Sequence, residues 1–320
     1  MYSTYRTNKG IFTCLSTEEI ISSYISGGVA WEDADINICN LLIQKTKNSL
    51  DIGSHIGCYA VPLSVSSKMV YAFEAQPEMY NLLLQNLVQN KVHNVVPFCA
   101  AVGHKDDVEV SISDRANDGR SRGKLVDYQS NTPVNYGGMQ IGPGKHPVPL
   151  MSIDRLGLTN VGFMKVDVEG FEPLVFYGAM ETIKKEKPTI LYENNWKKLS
   201  EESKKVVEIN DDAETFDINQ YTKSLGYGDP IRISPDNLLL VRPYRGDLFM
   251  RGSVKFQGDE ISINGDTLNL GQRGTFPVRW LSETQIFCFF SDQKQAYIGN
   301  FNPETKQLEW SNKTAWKIAS

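Results

Sequence analysis

Ser49-Leu50-Asp51-Ile52-Gly53-Ser54-His55-Ile56-Gly57 joins a short apolar strand with an acidic residue near its end to two glycines and the start of a helix. Gly53 permits a tight turn and a close approach of the backbone to a ligand, and Gly57 lets the helix begin against the strand. The spacing is GxxxG rather than GxGxxG, which weakens a pyrophosphate-binding interpretation. An acidic strand end would repel a pyrophosphate, whereas it suits a cationic ligand group.

The next predicted strand carries the second informative residue. It ends in Phe73-Glu74, about 20 residues beyond the first glycine, where a carboxylate commonly holds a ribose diol. The first acid suits an amine, the second suits a ribose, and the segment lacks a phosphate-binding loop. Together these features predict a nucleoside–amino-acid ligand. We therefore expect S-adenosylmethionine as the cofactor.

A third segment, KVDVEGFE at 165–172, places three carboxylates after another buried strand, at the edge where open α/β sheets bind ligands. Carboxylates are costly to bury unpaired, so this cluster points to a cation, a hydrogen-bonding substrate or a proton to be removed. The structural alternative is that Glu169 and Glu172 stabilise the start of the next helix. We predict Asp167 or Glu169 as a general base, with Glu193 as the third choice.

Two further possibilities concern the same edge of the sheet. His55 is another candidate base, but its place in the glycine loop favours a contact to the cofactor or a role at the helix start. A divalent cation that bridges Asp167, Glu169 and a sugar diol is chemically reasonable, because hard cations prefer oxygen ligands. No HxxxH or DxD spacing supports it, so no metal is expected.

Short apolar runs alternate with helical segments after residue 48. Units of this length predict an α/β fold, a parallel Rossmann-like sheet with helices on both faces. The predicted strands cover 49–52, 69–73, 95–99, 108–112, 162–166 and 189–192. The predicted helices cover 58–65, 78–89, 173–185 and part of 201–225.

Two segments of the first 245 residues stand outside this alternation. Residues 1–48 are predicted to contribute helices, one capped near Ser16 and Thr17 and one over 33–47. Residues 114–148 are rich in Gly, Asn, Ser and Pro, and four basic residues lie close together there: Arg115, Arg120, Arg122 and Lys124. Loops of this length inside a domain are usually functional or disordered. A substrate-facing lid is the favoured interpretation, and an unstructured insertion is the alternative.

Residues 246–320 change character and predict a small antiparallel β domain beside a main domain of residues 1–245. Apolar strands are predicted at 254–256, 261–263, 267–270, 286–290 and 296–298. Asn264-Gly265 is a strong hairpin signal. Three of the five tryptophans fall here, Trp280, Trp310 and Trp316. They are expected to form the core of this unit, although stacking on sugar rings is an alternative.

Composition narrows the function classes. The chain has 320 residues, 41% hydrophobic and 22% charged, with a formal net charge of -5, which argues against wholesale binding of nucleic acid. No apolar run approaches the length of a membrane span, and the first residues lack a signal-peptide profile. The five cysteines are scattered, which favours reduced thiols and a cytoplasmic location. A homodimer is compatible with the sequence.

The combined motifs resemble the FkbM family of S-adenosylmethionine-dependent methyltransferases. The resemblance covers roughly residues 25–195. It rests on DIGSHIG at 51–57, YAFEAQP at 71–77, AAVG at 100–103, NYGG at 135–138, SIDRL at 152–156, KVDVEGFE at 165–172 and LVFYGA at 174–179, with Lys187-Pro188 and Glu193. The family commonly has Ala-Asn in place of Ser54-His55 and Glu-Pro in place of Glu74-Ala75.

The resemblance implies a class I methyltransferase sheet and a set of site residues. Those implied around the cofactor are Asp51, Gly53, His55, Gly57, Glu74, Ala75, Gln76, Ala100, Ala101 and Asp167. Those expected at the acceptor are Arg120, Arg122, Asn135, Gly137 and Gly138. The two arginines are selected from the basic cluster of the loop, where they could grip an anionic acceptor, and a solvated lid surface is the alternative. The implied activity is O-methylation of a hydroxyl of a sugar, a glycan or a glycosylated small molecule. The alternative is a non-catalytic scaffold that binds a glycan or protein through its C-terminal β module.

Overall fold

A run of five neighbouring parallel strands carries the predicted site, which confirms the predicted fold class. They are β3 (Asn48–Ile52), β4 (Val70–Glu74), β5 (Val95–Cys99), β9 (Val161–Val166) and β10 (Thr189–Glu193). Their order is β10-β9-β3-β4-β5. The chain leaves β3 toward β4 on one side and returns to β9 on the other, so the direction of winding reverses between β3 and β9. Ligands of open α/β sheets bind at such a switch point, beyond the carboxyl ends of the strands.

The computed structural model describes residues 1–116, 119, 122–193, 204–205, 209, 211–244, 253–257 and 261–318. The contacts divide the chain into two units, Met1–Tyr221 and Thr222–Ser320. The boundary predicted from the sequence lies later, after residue 245.

Eight α-helices are described, and the predicted ones match them with shifted bounds. They are α1 (Ile21–Ile25), α2 (Asp33–Leu42), α3 (Ala60–Ser64), α4 (Pro77–Gln89), α5 (Glu172–Tyr177), α6 (Met180–Glu186), α7 (Asp211–Glu214) and α8 (Ile218–Ser224). The predicted helix 173–185 is two helices separated at Gly178, and α2 ends at Leu42 because Ile43 is extended. None of the described helices has the length and apolar character needed to cross a membrane.

The two helices predicted within residues 1–48 are present as α1 and α2, but a hairpin that was not predicted precedes them. A hairpin of β1 (Tyr2–Thr7) and β2 (Gly10–Leu15) precedes α1. The predicted cap is also different, because no side chain of Ser16 or Thr17 caps α1. Instead the Glu18 carboxylate accepts hydrogen bonds from the backbone N–H groups of Ile20 at 3.3 Å and Ser22 at 3.1 Å.

Amide side chains of α4 cover the outer edge of β2. Asn86 accepts a hydrogen bond from the Thr13 N–H at 2.8 Å and donates to the Thr13 carbonyl at 3.0 Å, and it also donates to the Ile56 carbonyl at 2.8 Å. Asn90 likewise accepts a hydrogen bond from the Ile11 N–H, and the side-chain amides of Asn90 and Gln89 both donate to the Ile11 carbonyl. The helix therefore supplies the partners that a third strand would otherwise offer to this edge.

A small second sheet accounts for the strand predicted at 108–112. It consists of β6 (Ala101–Val102), β7 (Val108–Ser111) and β8 (Pro147–Met151), in the order β6-β8-β7, and β7 runs antiparallel to β8. Thus 108–112 is a strand but does not belong to the parallel sheet. Residues 112–146 connect the two antiparallel strands, and β8 takes the last two positions of the lid predicted at 114–148.

The unit Thr222–Ser320 contains two antiparallel arrangements. One is the pair β11 (Ile231–Arg232) and β12 (Asn237–Leu240). The other is a meander of eight strands: β13 (Ser253–Lys255), β14 (Ile261–Asn264), β15 (Thr267–Leu270), β16 (Thr275–Trp280), β17 (Gln285–Phe290), β18 (Gln295–Asn302), β19 (Gln307–Trp310) and β20 (Ala315–Lys317). The predicted antiparallel unit and its Asn264-Gly265 hairpin are present, whereas β16, β19 and β20 were not predicted.

The core of the meander is aromatic. Trp280 and Trp310 are each 5% exposed, and the ring of Trp310 lies 4.9 Å from that of Trp316. These tryptophans therefore pack as core residues, as the favoured interpretation expected. The first and last strands are also joined, because Phe256 bridges Ile318 and the Gln257 N–H donates to the Lys317 carbonyl at 2.7 Å.

Replacing Asn86 tests the contact between α4 and the hairpin. Asn86→Ala leaves three backbone groups without partners in a buried position, so we expect a loss of about 2–4 kcal/mol in the free energy of unfolding. Urea unfolding followed by circular dichroism measures it. Asn81→Ala is the matched control, since Asn81 is exposed on the same helix. Equal stability of the two variants would contradict this role of Asn86.

Candidate functional site at the switch point

The turn after β3 and the end of β9 are in direct contact. Gly53 has φ +82°, and a Cβ at this position would lie 1.7 Å from the carbonyl oxygen of Asp167. The Asp167 N–H donates to the Ile52 carbonyl at 3.0 Å. Gly53 is therefore required both by its backbone conformation and by the lack of space, and it brings the two predicted acidic strand ends together.

Lys165, which the sequence reasoning did not select, lies between these two ends. Its ammonium group is 3.1 Å from the Asp167 carboxylate and 3.7 Å from the Asp51 carboxylate, and it donates to the Gly53 carbonyl at 2.8 Å. It also lies 5.0 Å from the centre of the Tyr59 ring. Burial alone would lower the pKa of Lys165, but the carboxylates of Asp167 and Asp51 outweigh it and raise this pKa above its usual value. Lys165 is therefore charged at neutral pH.

Asp51 and His55 are the buried polar groups of the glycine loop. Asp51 is fully buried, and burial raises the pKa of its carboxyl group, although Lys165 opposes the shift. Neither carboxylate oxygen of Asp51 and neither ring nitrogen of His55 has a hydrogen-bond partner within the described part of the chain. Burial lowers the pKa of His55 to about 4, so its ring is neutral at pH 7.

Glu74 is held by backbone N–H groups at the end of β4. Its two carboxylate oxygens accept hydrogen bonds from the N–H groups of His55 at 2.6 Å and Gln76 at 2.7 Å. Burial is the largest cause that raises the pKa of Glu74 to about 7, and these two hydrogen bonds oppose it. Each oxygen keeps a free lone pair for a hydroxyl group, which is the arrangement expected for binding a diol.

The remaining residues implied around the cofactor lie beside Glu74 or behind the loop. The Ala100 N–H donates to the Glu74 carbonyl at 3.1 Å, and Ala101 begins β6 with its side chain buried. Ala75 is partly buried against the same core. Gly57 has φ +90°, and a Cβ there would lie 2.8 Å from Leu83, so its role is to let the chain pack against α4.

Gln76 connects this loop to the predicted lid. Its side-chain amide donates to the Tyr136 carbonyl at 2.8 Å and accepts from the Tyr128 hydroxyl at 3.2 Å. The rings of Tyr128 and Tyr136 stack with centres 5.2 Å apart. The segment from 126 to 138 is thus fastened next to the proposed ribose acid rather than free, and the Gln76 side chain is occupied by it.

The three predicted bases lie together. Carboxylate oxygens of Asp167, Glu169 and Glu193 are all within 4.8 Å of one another, and all three residues are partly exposed. Asp167 has a side chain 33% exposed, in contrast to the buried Asp51. Partly exposed carboxylates often lie together without an ion, so the spacing alone assigns no metal. What the arrangement offers is a group of proton and hydrogen-bond acceptors that a substrate can reach.

Glu172 has the structural role that was weighed as its alternative. Its carboxylate accepts hydrogen bonds from the N–H groups of Val168 at 3.2 Å and Gly170 at 3.1 Å. Glu169 has φ +53° and Gly170 has φ +100°, so this carboxylate stabilises a tight turn before α5. Glu169 lies within this turn, and Asp167 lies immediately before it.

The residues expected at the acceptor occupy the loop 114–146. Arg122 is exposed, and Arg120 lies outside the described residues. Asn135 accepts a hydrogen bond from the Gly138 N–H at 3.3 Å, and Gly137 lies against Ile21 and Asn135. Their contacts close a turn on the N-terminal segment, so a role in binding an acceptor stays a prediction.

The family of this chain follows from a comparison with known protein families. A model of the methyltransferase FkbM domain matches residues 51–228, more than half of the chain. The chain belongs to the FkbM methyltransferase family. The resemblance to this family found in the sequence is thereby confirmed.

Individual relatives of this FkbM protein are distant. An aminocarboxypropyltransferase of Methanocaldococcus jannaschii, named for tRNA(Phe) (4-demethylwyosine(37)-C(7)), is 36% identical over 70 residues, which are 21% of this chain and 26% of that protein. The FkbM methyltransferase of Methylobacillus flagellatus KT is 15% identical, with 62% of this chain and 44% of that one covered and a TM-score of 0.40.

A third relative is the Pyrococcus abyssi tRNA (uracil-54, C5)-methyltransferase, solved with S-adenosyl-L-homocysteine. It is 14% identical, with 75% and 44% covered and a TM-score of 0.38. The matched part of the chain spans less than half the length of each of the three proteins. Likenesses of this size carry no information on the acceptor.

Replacing Gly53 tests the close approach to Asp167. Gly53→Ala must displace the end of β9, so we expect a loss of about 3 kcal/mol or more in unfolding free energy. Gly123→Ala is the matched control, because Gly123 has φ +80° but nothing within 4 Å of an added Cβ. It should cost only the conformational strain, about 1–2 kcal/mol. Urea unfolding of both variants provides the comparison, and equal losses would contradict the steric argument.

Proposed function

We propose that this FkbM protein is an O-methyltransferase that uses S-adenosylmethionine to methylate a hydroxyl group of a sugar, a glycan or a glycosylated small molecule. The observation that carries the proposal is the arrangement of two carboxylates around the Gly53 turn. Glu74, at the end of β4, is positioned to hold a diol, and the partly exposed Asp167 follows β9 on the other side of the Gly53 turn. S-adenosylmethionine supplies an electrophilic methyl group when bound.

The residues present fit this cofactor. The buried Asp51 has two carboxylate oxygens without a hydrogen-bond partner in the described structure, and His55 is neutral, so the loop favours a cationic group over an anionic one. Gly53 leaves the loop backbone uncovered by a side chain. Glu74 retains acceptor capacity for the two ribose hydroxyls, while Ala100 and Ala101 would flank the adenine.

Asp167 is the proposed general base. An alcohol is not ionised at neutral pH, so its oxygen needs a proton acceptor within about 3 Å during methyl transfer. Asp167 is the exposed end of the Asp51–Lys165–Asp167 group, and the Lys165 ammonium fixes one of its oxygens at 3.1 Å. Glu169 and Glu193 provide further acceptors close by.

A polyhydroxylated acceptor suits this carboxylate cluster. Neighbouring hydroxyl groups of a sugar ring donate hydrogen bonds, and three carboxylates within 4.8 Å accept them. A phosphate or carboxylate next to the methylated hydroxyl would be repelled by the same groups. An anionic part of the acceptor would therefore have to lie farther away, where the basic residues of the loop, including Arg122, could contact it.

The experiment that tests the function has two stages. Calorimetric titration of the full chain with S-adenosylmethionine and S-adenosylhomocysteine measures donor binding. Incubation with methyl-labelled donor and a panel of free sugars, glycans and tRNA then identifies the acceptor class. Binding with label transfer to a sugar supports the proposal. Label transfer to tRNA would replace the acceptor class, and no binding would favour the scaffold alternative.

Glu74→Ala tests the ribose assignment. The variant loses two hydrogen bonds to a charged acceptor, so we expect donor affinity to fall by about 10–100-fold. Glu78→Ala, in the first turn of α4, is the control. In the unsubstituted protein, donor affinity should also weaken as the pH falls through about 7, because protonation removes acceptor capacity from Glu74. Unchanged affinity in Glu74→Ala would remove the assignment.

Asp167→Asn tests the general base. We expect turnover to fall by about 10²–10⁴-fold, since the amide cannot accept the proton, while the donor still binds. Glu169→Gln and Glu193→Gln provide the comparison and should have smaller effects. Single-turnover measurements with saturating donor separate chemistry from binding. Turnover that survives in Asp167→Asn but not in Glu169→Gln would transfer the role to Glu169.

A further inference from the structure

Lys165 is a cation inside an apolar strand, and its surroundings are unusually specific. Its side chain is 5% exposed, and Asp51, Asp167, the Gly53 carbonyl and the face of Tyr59 surround the ammonium group. Burying an ammonium group is costly unless carboxylates and hydrogen bonds compensate for it. A fold that merely needed to fill this space would use an apolar side chain, so the charge itself calls for an explanation.

The three groups form a row with a defined net charge. Asp51 is buried at one end, Lys165 lies in the middle, and Asp167 is exposed at the other end. When both carboxylates are ionised and Lys165 is protonated, the row carries one net negative charge. A sulfonium donor brings one positive charge to the adjacent loop, which offsets the net charge of these three groups.

We propose that Lys165 is a positioning residue that balances Asp51 and Asp167, so that this row and the donor sulfur together carry no net charge either with the donor bound or after methyl transfer. This inference rests on the proposed function. The acceptor oxygen forms a bond to the methyl carbon, and the bond between this carbon and sulfur breaks with its electrons going to sulfur. The hydroxyl proton passes to Asp167.

The formal charges of Asp51, Lys165, Asp167 and the sulfur atom sum to zero both before and after the methyl transfer. After the transfer the sulfur is a neutral thioether, Asp167 is protonated, and Asp51 and Lys165 cancel each other. Without Lys165 the negative charges of Asp51 and Asp167 would not be compensated, because the two carboxylates would face each other in a largely buried place. Such a pair takes up a proton at a higher pH than a pair held apart by an ammonium group. A base that is already protonated cannot accept the hydroxyl proton.

Other titratable groups face this row from the neighbouring elements. Glu32 precedes α2 and Cys39 lies within it, while Cys58 and Tyr59 precede α3. His55 lies in the glycine loop and Glu74 ends β4. Glu169 lies in the turn before α5, Glu172 begins α5, and Glu193 ends β10. Burial raises the pKa of Glu32 to about 7, with Asp167 the next cause, and burial raises that of Glu172 to about 7. All of these groups remain in place when Lys165 alone is changed, so a set of Lys165 variants isolates its contribution.

The test uses Lys165→Met, with Lys165→Arg as the conservative control and Asp51→Asn/Lys165→Met as a variant that restores one net negative charge. The pH dependence of single-turnover rate is measured for each. In Lys165→Met the acidic limb should move to higher pH by about one unit or more. It should return toward its original position in Lys165→Arg and in the double variant, whatever the absolute rates are.

A second readout is the affinity ratio between S-adenosylmethionine and S-adenosylhomocysteine above pH 8. The ratio should rise about tenfold in Lys165→Met, because the two carboxylates then attract the sulfonium without compensation. A uniform loss of rate with an unmoved acidic limb and an unchanged ratio would overturn the inference and leave Lys165 a packing residue. Failure of the unsubstituted protein to bind either compound would instead reject the proposed function.

Discussion

Because Gly53 has no side chain, the end of β3 can contact the end of β9. The contact joins the strands on either side of the switch point, and most of the site geometry follows from it. It places Asp51 and Asp167 on either side of a single ammonium group, and it lets Lys165 reach the Gly53 carbonyl. The His55 N–H then points at Glu74, the acid at the end of the neighbouring strand. The backbone conformation of Gly53, its contact with Asp167 and the charges around Lys165 therefore all depend on one turn.

The parallel sheet could be predicted because its strands are short, apolar and separated by helices of regular spacing. The N-terminal hairpin was missed although Asn8-Lys9-Gly10 is a turn signal and β1 alternates in exposure. Its pattern is weak because α4 supplies side-chain amides to its edge, and no local sequence feature reports a partner more than 70 residues away. The sheet formed by β6, β7 and β8 was not predicted either, because β6 has only two residues and β8 contains two prolines.

The acidic residues of the site were accessible to prediction for a geometrical reason. Carboxyl ends of parallel strands meet at one edge, so residues that follow separate strands become neighbours. Lys165 was not selected because a lysine inside an apolar strand gives no periodic signal, although its charge within 161–166 is the clue. The place of Gln76 beside the cofactor stays a prediction, and its side-chain amide donates to the backbone carbonyl of Tyr136. Which polar side chains bind a ligand and which bind the chain itself depends on tertiary contacts.

The bridge between Phe256 and Ile318 has a topological consequence. It puts the last described residue of the chain beside the beginning of the C-terminal meander, so the two ends of that sheet are neighbours in space. The backbone groups of the first strand at this end of the meander are therefore paired with the last strand of the same sheet, which leaves fewer of them open to pairing with another chain.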